Sequence, residues 1–217
     1  MKTVAFMPIK LNNERLPNKN IKLLGGKPLL HYMLNILYQC SGIEDIYVFC
    51  SDEAIVPYLP QGIKFLQRNK SLDRFNTLHY EIVDAFVKEI DADIYVNAHA
   101  TSPFIKKQTI ETGISKIISE GYDSVCTVVP IRAHTWYKGE MFNFSRTSLP
   151  RTQDLEPLMV ESGILIYRKE VYTNYKSRYG NNPYLLEIDA IEAIDIDYPD
   201  DFNLAEAIVL SGYGTEV

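Results

Sequence analysis

The sequence predicts a single α/β domain built on a mostly parallel sheet with helices on both faces. Three observations carry this. Short apolar runs alternate with stretches of helical period through the first 130 residues, the pattern of β-α-β units. The 217-residue length fits one domain able to bury a core without disulfides. No internal repeat, low-complexity linker or second domain interrupts residues 1–217.

Val4–Ile9 reads as a buried strand, apolar, short and closed by a polar loop. The loop 10–26 is rich in Asn, Lys and Pro, and Pro28 suits the first turn of a helix running to about Cys40. Leu30, Leu34 and Leu37 lie on one stripe of it. Asp45–Cys50 and Ile63–Leu66 read as strands, Thr77–Ile90 as a helix, Asp93–Ala98 as a strand, Lys106–Glu120 as a helix and Ser124–Pro130 as a strand. Residues 131–157 lose any clear period and read as an excursion from the sheet, an arm within 131–160 suited to packing on a second subunit. Val160–Tyr167 is again a strand, Leu185–Ile196 interleaves extended apolar positions with acids, and Pro199–Leu210 is a closing helix.

The net charge of −6 disfavours general nucleic-acid binding. No apolar run reaches the roughly 18 residues of a membrane span, and the N-terminus reads as a strand rather than a cleaved leader. The expected location is the cytoplasm, with no membrane partner. Cys40, Cys50 and Cys126 have neither the parity of a disulfide framework nor zinc-ligand spacing, and their apolar surroundings favour buried thiols. Charge is unevenly spread. Lys10, Arg15, Lys19, Lys22 and Lys27 fall within eighteen residues opposed by Glu14 alone, whereas the stretch from Glu187 onward has nine acids and no Lys or Arg. This describes either two solvated faces or a polyanion site at one end and a metal-holding carboxylate site at the other.

Ligands in such folds bind beyond the C-terminal ends of the strands. Segments 10–20, 97–103 and 195–197 follow predicted strands and are expected to converge there. The first supplies spaced cations at Lys10, Arg15 and Lys19, suited to a triphosphate as well as to an ordinary surface loop. It is neither a P-loop nor a dinucleotide-binding glycine motif. In the last, Asp195 and Asp197 would share one face of a strand, where paired carboxylates repel unless a cation such as Mg²⁺ or Mn²⁺ lies between them. A bare D-x-D is more commonly the mark of a solvated edge strand. In His99-Ala100-Thr101-Ser102-Pro103 a hydroxyl is placed to cap the helix that follows. Asn76 and Thr77 are N-cap candidates for the helix after loop 68–77.

The residues Pro8-Ile9-Lys10 followed by Arg15-Leu16-Pro17-Asn18-Lys19-Asn20 resemble the signature of the cytidylyltransferases that activate acidic sugars, roughly I-P-A-R, five variable residues, L-P-x-K-N. That family includes the CMP-sialic acid synthetases (acylneuraminate cytidylyltransferases) and relatives acting on other nonulosonic acids and KDO. Ile194-Asp195-Ile196-Asp197 resembles its I-D-I-D motif, and His99–Pro103 is similar to its Q-P-T-S-P segment. The chain departs from the family at Lys10, in place of Arg, and at His99, in place of Gln. It also has Val160-Glu161-Ser162, where the family carries an arginine before the glycine-led strand.

The resemblance implies a Rossmann-like, mostly parallel (mixed) sheet of nucleotide-diphospho-sugar transferase type. It implies CMP transfer from CTP to a small sugar acid with release of pyrophosphate, in a homodimer that uses Mg²⁺ or Mn²⁺. Lys19, Arg15 and Asp197 are the expected catalytic residues, and Asp195 with Asp197 the metal ligands. Pro8, Lys10, Asn20, Asn76, Thr77 and Ala98 are expected around the nucleotide, and His99, Thr101 and Ser102 around the acceptor. Lys19 is expected to contact the phosphates, and Asn at position 195 or 197 to leave folding unharmed. The departures point to an acceptor other than the commonest sialic acid, unless Arg146 or Arg151 turns inward to supply the missing arginine. Two other readings fit the same residues: a nucleotidyltransferase for another base or acceptor, and a catalytically impaired nucleotide-binding protein. No motif residue stands out as the general base.

Overall fold

A computed structural model of the chain describes residues 1–212. Its centre is a seven-stranded sheet assembled around β1 (Thr3–Ile9). On one side of β1 lie β4 (Asp45–Cys50) and β5 (Lys64–Gln67), and on the other lies β6 (Ile94–Asn97), all parallel to it. Beyond β6 come β10 (Leu158–Arg168), β7 (Ser124–Ile131) and β11 (Pro183–Glu187). β10 runs antiparallel to both β6 and β7, so the sheet is mixed. Two short strands, β2 (Leu23–Leu24) and β3 (Lys27–Pro28), form a ribbon just before helix α1 (Leu29–Gln39). Pro28 therefore precedes α1 with extended backbone instead of standing in its first turn.

The apolar runs are near-continuous because both sheet faces are covered. From β1, Ala5, Met7 and Ile9 pack with Leu30, Met33, Leu34 and Leu37 of α1 and with Ile110, Ile114 and Ile117 of α3 (Lys107–Glu120). Val4 and Phe6 face the other way, onto Val83 and Phe86 of α2 (His79–Glu89) and Val171 and Tyr172 of α4 (Lys169–Tyr175). Phe6 stacks on Phe86 with ring centroids 4.2 Å apart. A third, smaller cluster joins Leu16, Leu24, Leu29 and Phe104 to Ile196 and to Phe202 and Ala205 of α5 (Pro199–Leu210). It underlies the loop after β1.

The connection from β1 leads to β4 on one side, whereas that from β6 leads through α3 to β7 on the other. The crevice between the C-terminal ends of β1 and β6 is thus the topological switch point, where ligands bind in open α/β sheets.

Both expected helix caps differ from the structure. The residue before α3 is Lys106, whose N–H donates to Glu192 at 2.9 Å. Glu192 also accepts from the Thr109 hydroxyl, so a buried carboxylate distant in sequence replaces a local hydroxyl cap. Before α2 stands Leu78, whose N–H donates to Glu81 at 2.7 Å, and neither Asn76 nor Thr77 is the cap.

The excursion is a β-ribbon. The early residues of β10 continue to pair with the end of β7, Leu158 opposite Ile131. Between them, β8 (Trp136–Tyr137) and β9 (Glu140–Met141) close a small hairpin outside the main sheet. Lys138 and Gly139 both have positive φ there, as a two-residue hairpin turn requires. Trp136, Tyr137, Phe142 and Leu149 of this arm are exposed. Among the described residues no helix is long and apolar enough to cross a membrane.

Candidate active site

The three polar segments converge at the switch point, and Lys19 holds them together. It lies in a short 3₁₀ turn of the loop after β1 and is 8% exposed. Its ammonium donates to the carbonyl of Ile196 at 2.6 Å and to Asp197 Oδ1 at 3.0 Å. The N–H of Ile196 donates to the Thr101 carbonyl at 2.8 Å, and its side chain is fully buried in the third cluster. Segment 195–197 is therefore strapped to both the loop after β1 and the loop after β6. It is not the strand expected from alternation, but a stretch without regular structure outside the sheet. Arg15 donates to Asp197 Oδ2 at 2.7 Å and lies 5.2 Å from the centre of the Tyr198 ring. Asn20 braces the same loop, donating to the Lys10 carbonyl at 2.9 Å.

Beside this strap is an open pocket of 340 Å³. Pro8, Ile9 and Lys10 line it after β1, His79 and His99 line it as well, and Arg68, Arg74, Phe75 and Thr77 are among the other lining residues. Arg68 is buried, donating to the Ile9 carbonyl at 3.0 Å and to Asp73 at 2.6 Å. The Lys10 ammonium and the Arg74 guanidinium have no ion pair among the described residues. The pocket thus has two uncommitted cations and one anchored arginine, a composition that favours an anion.

Both histidines of the lining are neutral. Burial pushes the His79 imidazole down from 6.5 to about 3, with Arg178 and His99 adding to the shift. Neither ring nitrogen of His79 has a hydrogen-bond partner among the described residues. His99, its ring 6.2 Å away, is also lowered by burial, and Asp195 chiefly opposes this.

A family model for cytidylyltransferases matches residues 4–210. The chain belongs to the cytidylyltransferase family. An N-acylneuraminate cytidylyltransferase from Streptococcus agalactiae is 26% identical over 93% of the chain, which spans 52% of that relative's length. The chain thus spans about half the length of the first curated relatives it matches. A CMP-N,N'-diacetyllegionaminic acid synthase from Legionella pneumophila is 27% identical over 96% of this chain and 97% of its own. The solved structure of a CMP:2-keto-3-deoxy-manno-octonic acid synthetase with CTP superposes with a TM-score of 0.73 at 17% identity, covering 98% of this chain and all of the other. At that identity the superposition speaks for the fold of this chain.

The sequence-expected residues fall into three groups. Pro8, Lys10, Thr77 and His99 line the pocket. Lys19, Arg15, Asn20, Thr101 and Asp197 form the strap beside it. Asn76 is exposed and outside the pocket lining, and Ala98 is fully buried in the core with its N–H donated to the Phe6 carbonyl. Ser102 is buried with its hydroxyl unpartnered among the described residues, which sets aside the capping role. Arg146 is exposed, and Arg151 pairs with Asp154 at 2.7 Å. Sequence reasoning placed Arg68 and Arg74 in the loop 68–77 without giving them a role, and did not name His79, the first residue of α2. That loop follows the C-terminal end of β5, where the switch-point rule points.

Two expectations follow. Asp195 makes no hydrogen bond with its carboxylate among the described residues and is exposed, whereas Asp197 neutralises buried Lys19. Contrary to the sequence expectation, Asp197→Asn should lower unfolding stability by about 1.5–3 kcal/mol, the worth of a hydrogen bond to a charged group. Asp195→Asn should leave stability unchanged. Urea titrations of both variants check this through their midpoints.

The second concerns pH. Below pH 6.5 the unfolded chain protonates His79, while the folded protein does so only near pH 3. Stability should therefore fall as pH drops through this window, by about 1.4 kcal/mol per pH unit for each such proton. Between pH 6.5 and 5, above most carboxylate titrations, His79→Asn should flatten the slope. An unchanged slope in urea midpoints would show that His79 is not desolvated.

Proposed function

We propose that this chain transfers CMP from CTP to the hydroxyl of a small sugar acid, releasing pyrophosphate. The observation that carries the proposal is the switch-point pocket with its unpaired Lys10 and Arg74, in a chain of this family. The names of the Streptococcus and Legionella relatives support a nonulosonic acid as acceptor.

The acceptor oxygen forms a bond to the α-phosphorus while the bond from that phosphorus to the pyrophosphate oxygen breaks. Such a reaction needs little covalent help, so positioning and charge neutralisation supply the rate. Lys10 and Arg74 bind phosphate oxygens, and Arg68 with Thr77 lines the base and ribose end. Arg15 and Lys19 keep Asp197 at the mouth of the site. Asp195 and Asp197 offer hard oxygen donors but no set of three acidic, His or Cys ligands occurs among the described residues. Such a pair suits Mg²⁺ (or Mn²⁺), which binds through one or two carboxylates together with substrate phosphates. When bound, the ion neutralises charge developing on the phosphates.

We further propose that the arm within 131–160 packs on a second copy to make a homodimer, which would cover exposed Trp136, Tyr137, Phe142 and Leu149. Residues 1–217 would then act as one nucleotidyltransferase domain. A cytoplasmic location suits its three buried free thiols.

Pyrophosphate release with Mg²⁺ tests the proposal, using CTP, ATP, GTP and UTP against N-acetylneuraminate, KDO and di-amino nonulosonates. CTP with an acid other than N-acetylneuraminate should be turned over best. Lys10→Ala should raise the KM for CTP at least about tenfold, from the loss of a charge-assisted bond. Asp195→Asn should cut kcat by about 10²-fold, the scale of a lost transition-state contact. Preference for another triphosphate would make the protein a different nucleotidyltransferase. CTP-induced thermal stabilisation without turnover would make it a nucleotide-binding protein.

A further inference from the structure

Lys10 and Arg74, the pocket cations without an ion pair, each follow a residue that one buried guanidinium holds. Arg68 comes directly after β5, and its backbone N–H donates to the Cys50 carbonyl at the end of β4 at 2.8 Å. Its Nη2 donates to the Ile9 carbonyl at 3.0 Å and to Asp73 Oδ1 at 2.6 Å. Ile9 is the residue before Lys10, and Asp73 is the residue before Arg74. β4 lies between β1 and β5 in the sheet, so strand pairing does not join the loops that follow those two strands. One nitrogen of Arg68 does.

Asp73 is held from its other side as well. Its Oδ2 accepts the hydroxyl of Ser51, the residue after β4, at 2.5 Å. It ends a 3₁₀ turn, Lys70–Asp73, that Asn69 starts: the Asn69 side chain accepts the Ser71 N–H at 2.9 Å, and its carbonyl accepts the Leu72 N–H at 3.0 Å. The side chains of Arg68 and Asp73 are 2% and 12% exposed. The Phe49 ring packs on the arginine, its centre 5.7 Å from the guanidinium carbon. A buried guanidinium is costly to leave unpaired, so this pair resists being pulled apart.

Asp73 is not among the residues that line the pocket, whereas Arg68 and Arg74 are. An unpaired carboxylate there would repel a phosphate. Paired with Arg68, it instead confines the backbone of the arginine that follows it. Arg74 is exposed, and a long exposed side chain on an untethered loop loses much freedom when it grips a ligand. Tethering the loop one residue away removes part of that loss before the ligand arrives.

We propose that Asp73 is a positioning residue, which through Arg68 fixes Arg74 relative to Lys10 so that the two cations grip the phosphate chain of the nucleotide together. The proposal rests on the reading of this pocket as a CTP site. Two cations held at a set spacing favour a ligand with several phosphates over one with a single phosphate.

Calorimetry with CTP, CDP and CMP in Mg²⁺ tests this on the wild type and on variants whose folding is checked by thermal unfolding. Wild-type protein should bind CTP more tightly than CDP, and CDP more tightly than CMP. Asp73→Ala should weaken CTP by about tenfold or more, the scale of a lost charge-assisted bond. Its affinity for CMP should stay within about twofold of wild type, and in an Arg74→Ala background the same substitution should weaken CTP by no more than about twofold, as for residues that act as a unit. Asp73→Asn should recover part of the CTP affinity, because its amide oxygen can still accept from Arg68. A purely structural role would weaken all three nucleotides alike. Such equal losses, an unchanged CTP affinity in Asp73→Ala, or full additivity with Arg74→Ala would overturn the proposal while leaving the transferase reading intact. If Asp73→Ala does not fold, Ser51→Ala decides, since it loosens Asp73 and leaves Arg68 paired. It should weaken CTP and not CMP, and an unchanged CTP affinity would overturn the proposal. Wild-type protein that binds no CTP would overturn the nucleotide reading and this proposal with it.

Discussion

The site depends on one buried cation. Lys19 is almost inaccessible to water, and a buried ammonium is tolerated only when it is paired and hydrogen-bonded. Its partners are the carbonyl of Ile196 and the carboxylate of Asp197, residues near the other end of the chain. Satisfying Lys19 therefore fixes segment 195–197 against the loop after β1. Ile196 completes the arrangement, because its N–H holds the Thr101 carbonyl and its side chain fills the cluster beneath the loop. One lysine thus links three segments that come together only in the folded chain.

The same contact organises the charge. The basic stretch after β1 and the acidic stretch near the C-terminus meet, and Asp197 pairs with both Lys19 and Arg15. What is left over lines the pocket: Lys10, Arg74 and a deeply anchored Arg68, together with the neutral histidines. The Asp195 carboxylate makes no hydrogen bond among the described residues, so an oxygen donor stands free next to a cation-rich pocket. Structural and ligand-binding ionic groups are separated by burial and pairing, although they are neighbours in sequence.

Much of the fold was legible because its strands are buried on both faces and read as unbroken apolar runs. Val4–Ile9, Asp45–Cys50 and Ser124–Pro130 all lie within observed strands. The direction of β10 was not legible, since apolar period carries no information about polarity. The cap of α3 was missed because it comes from Glu192, 86 residues away, while the nearby Ser102 hydroxyl has no partner among the described residues. Alternation paired Asp195 and Asp197 on one face of a strand for a reason that does not hold, because they lie on no strand. The convergence of segments 10–20, 97–103 and 195–197 followed from the switch-point rule, but the binding of Lys19 by Asp197 could not be read from either motif.

Backbone hydrogen exchange with and without CTP and Mg²⁺ tests the central claim, that segments strapped together by Lys19 form a single nucleotide site. Slowed exchange should appear together in residues 9–20, 68–79, 98–102 and 195–198, with the hairpin at 136–141 unchanged. Protection confined to one of these segments, or appearing in the hairpin instead, would contradict it.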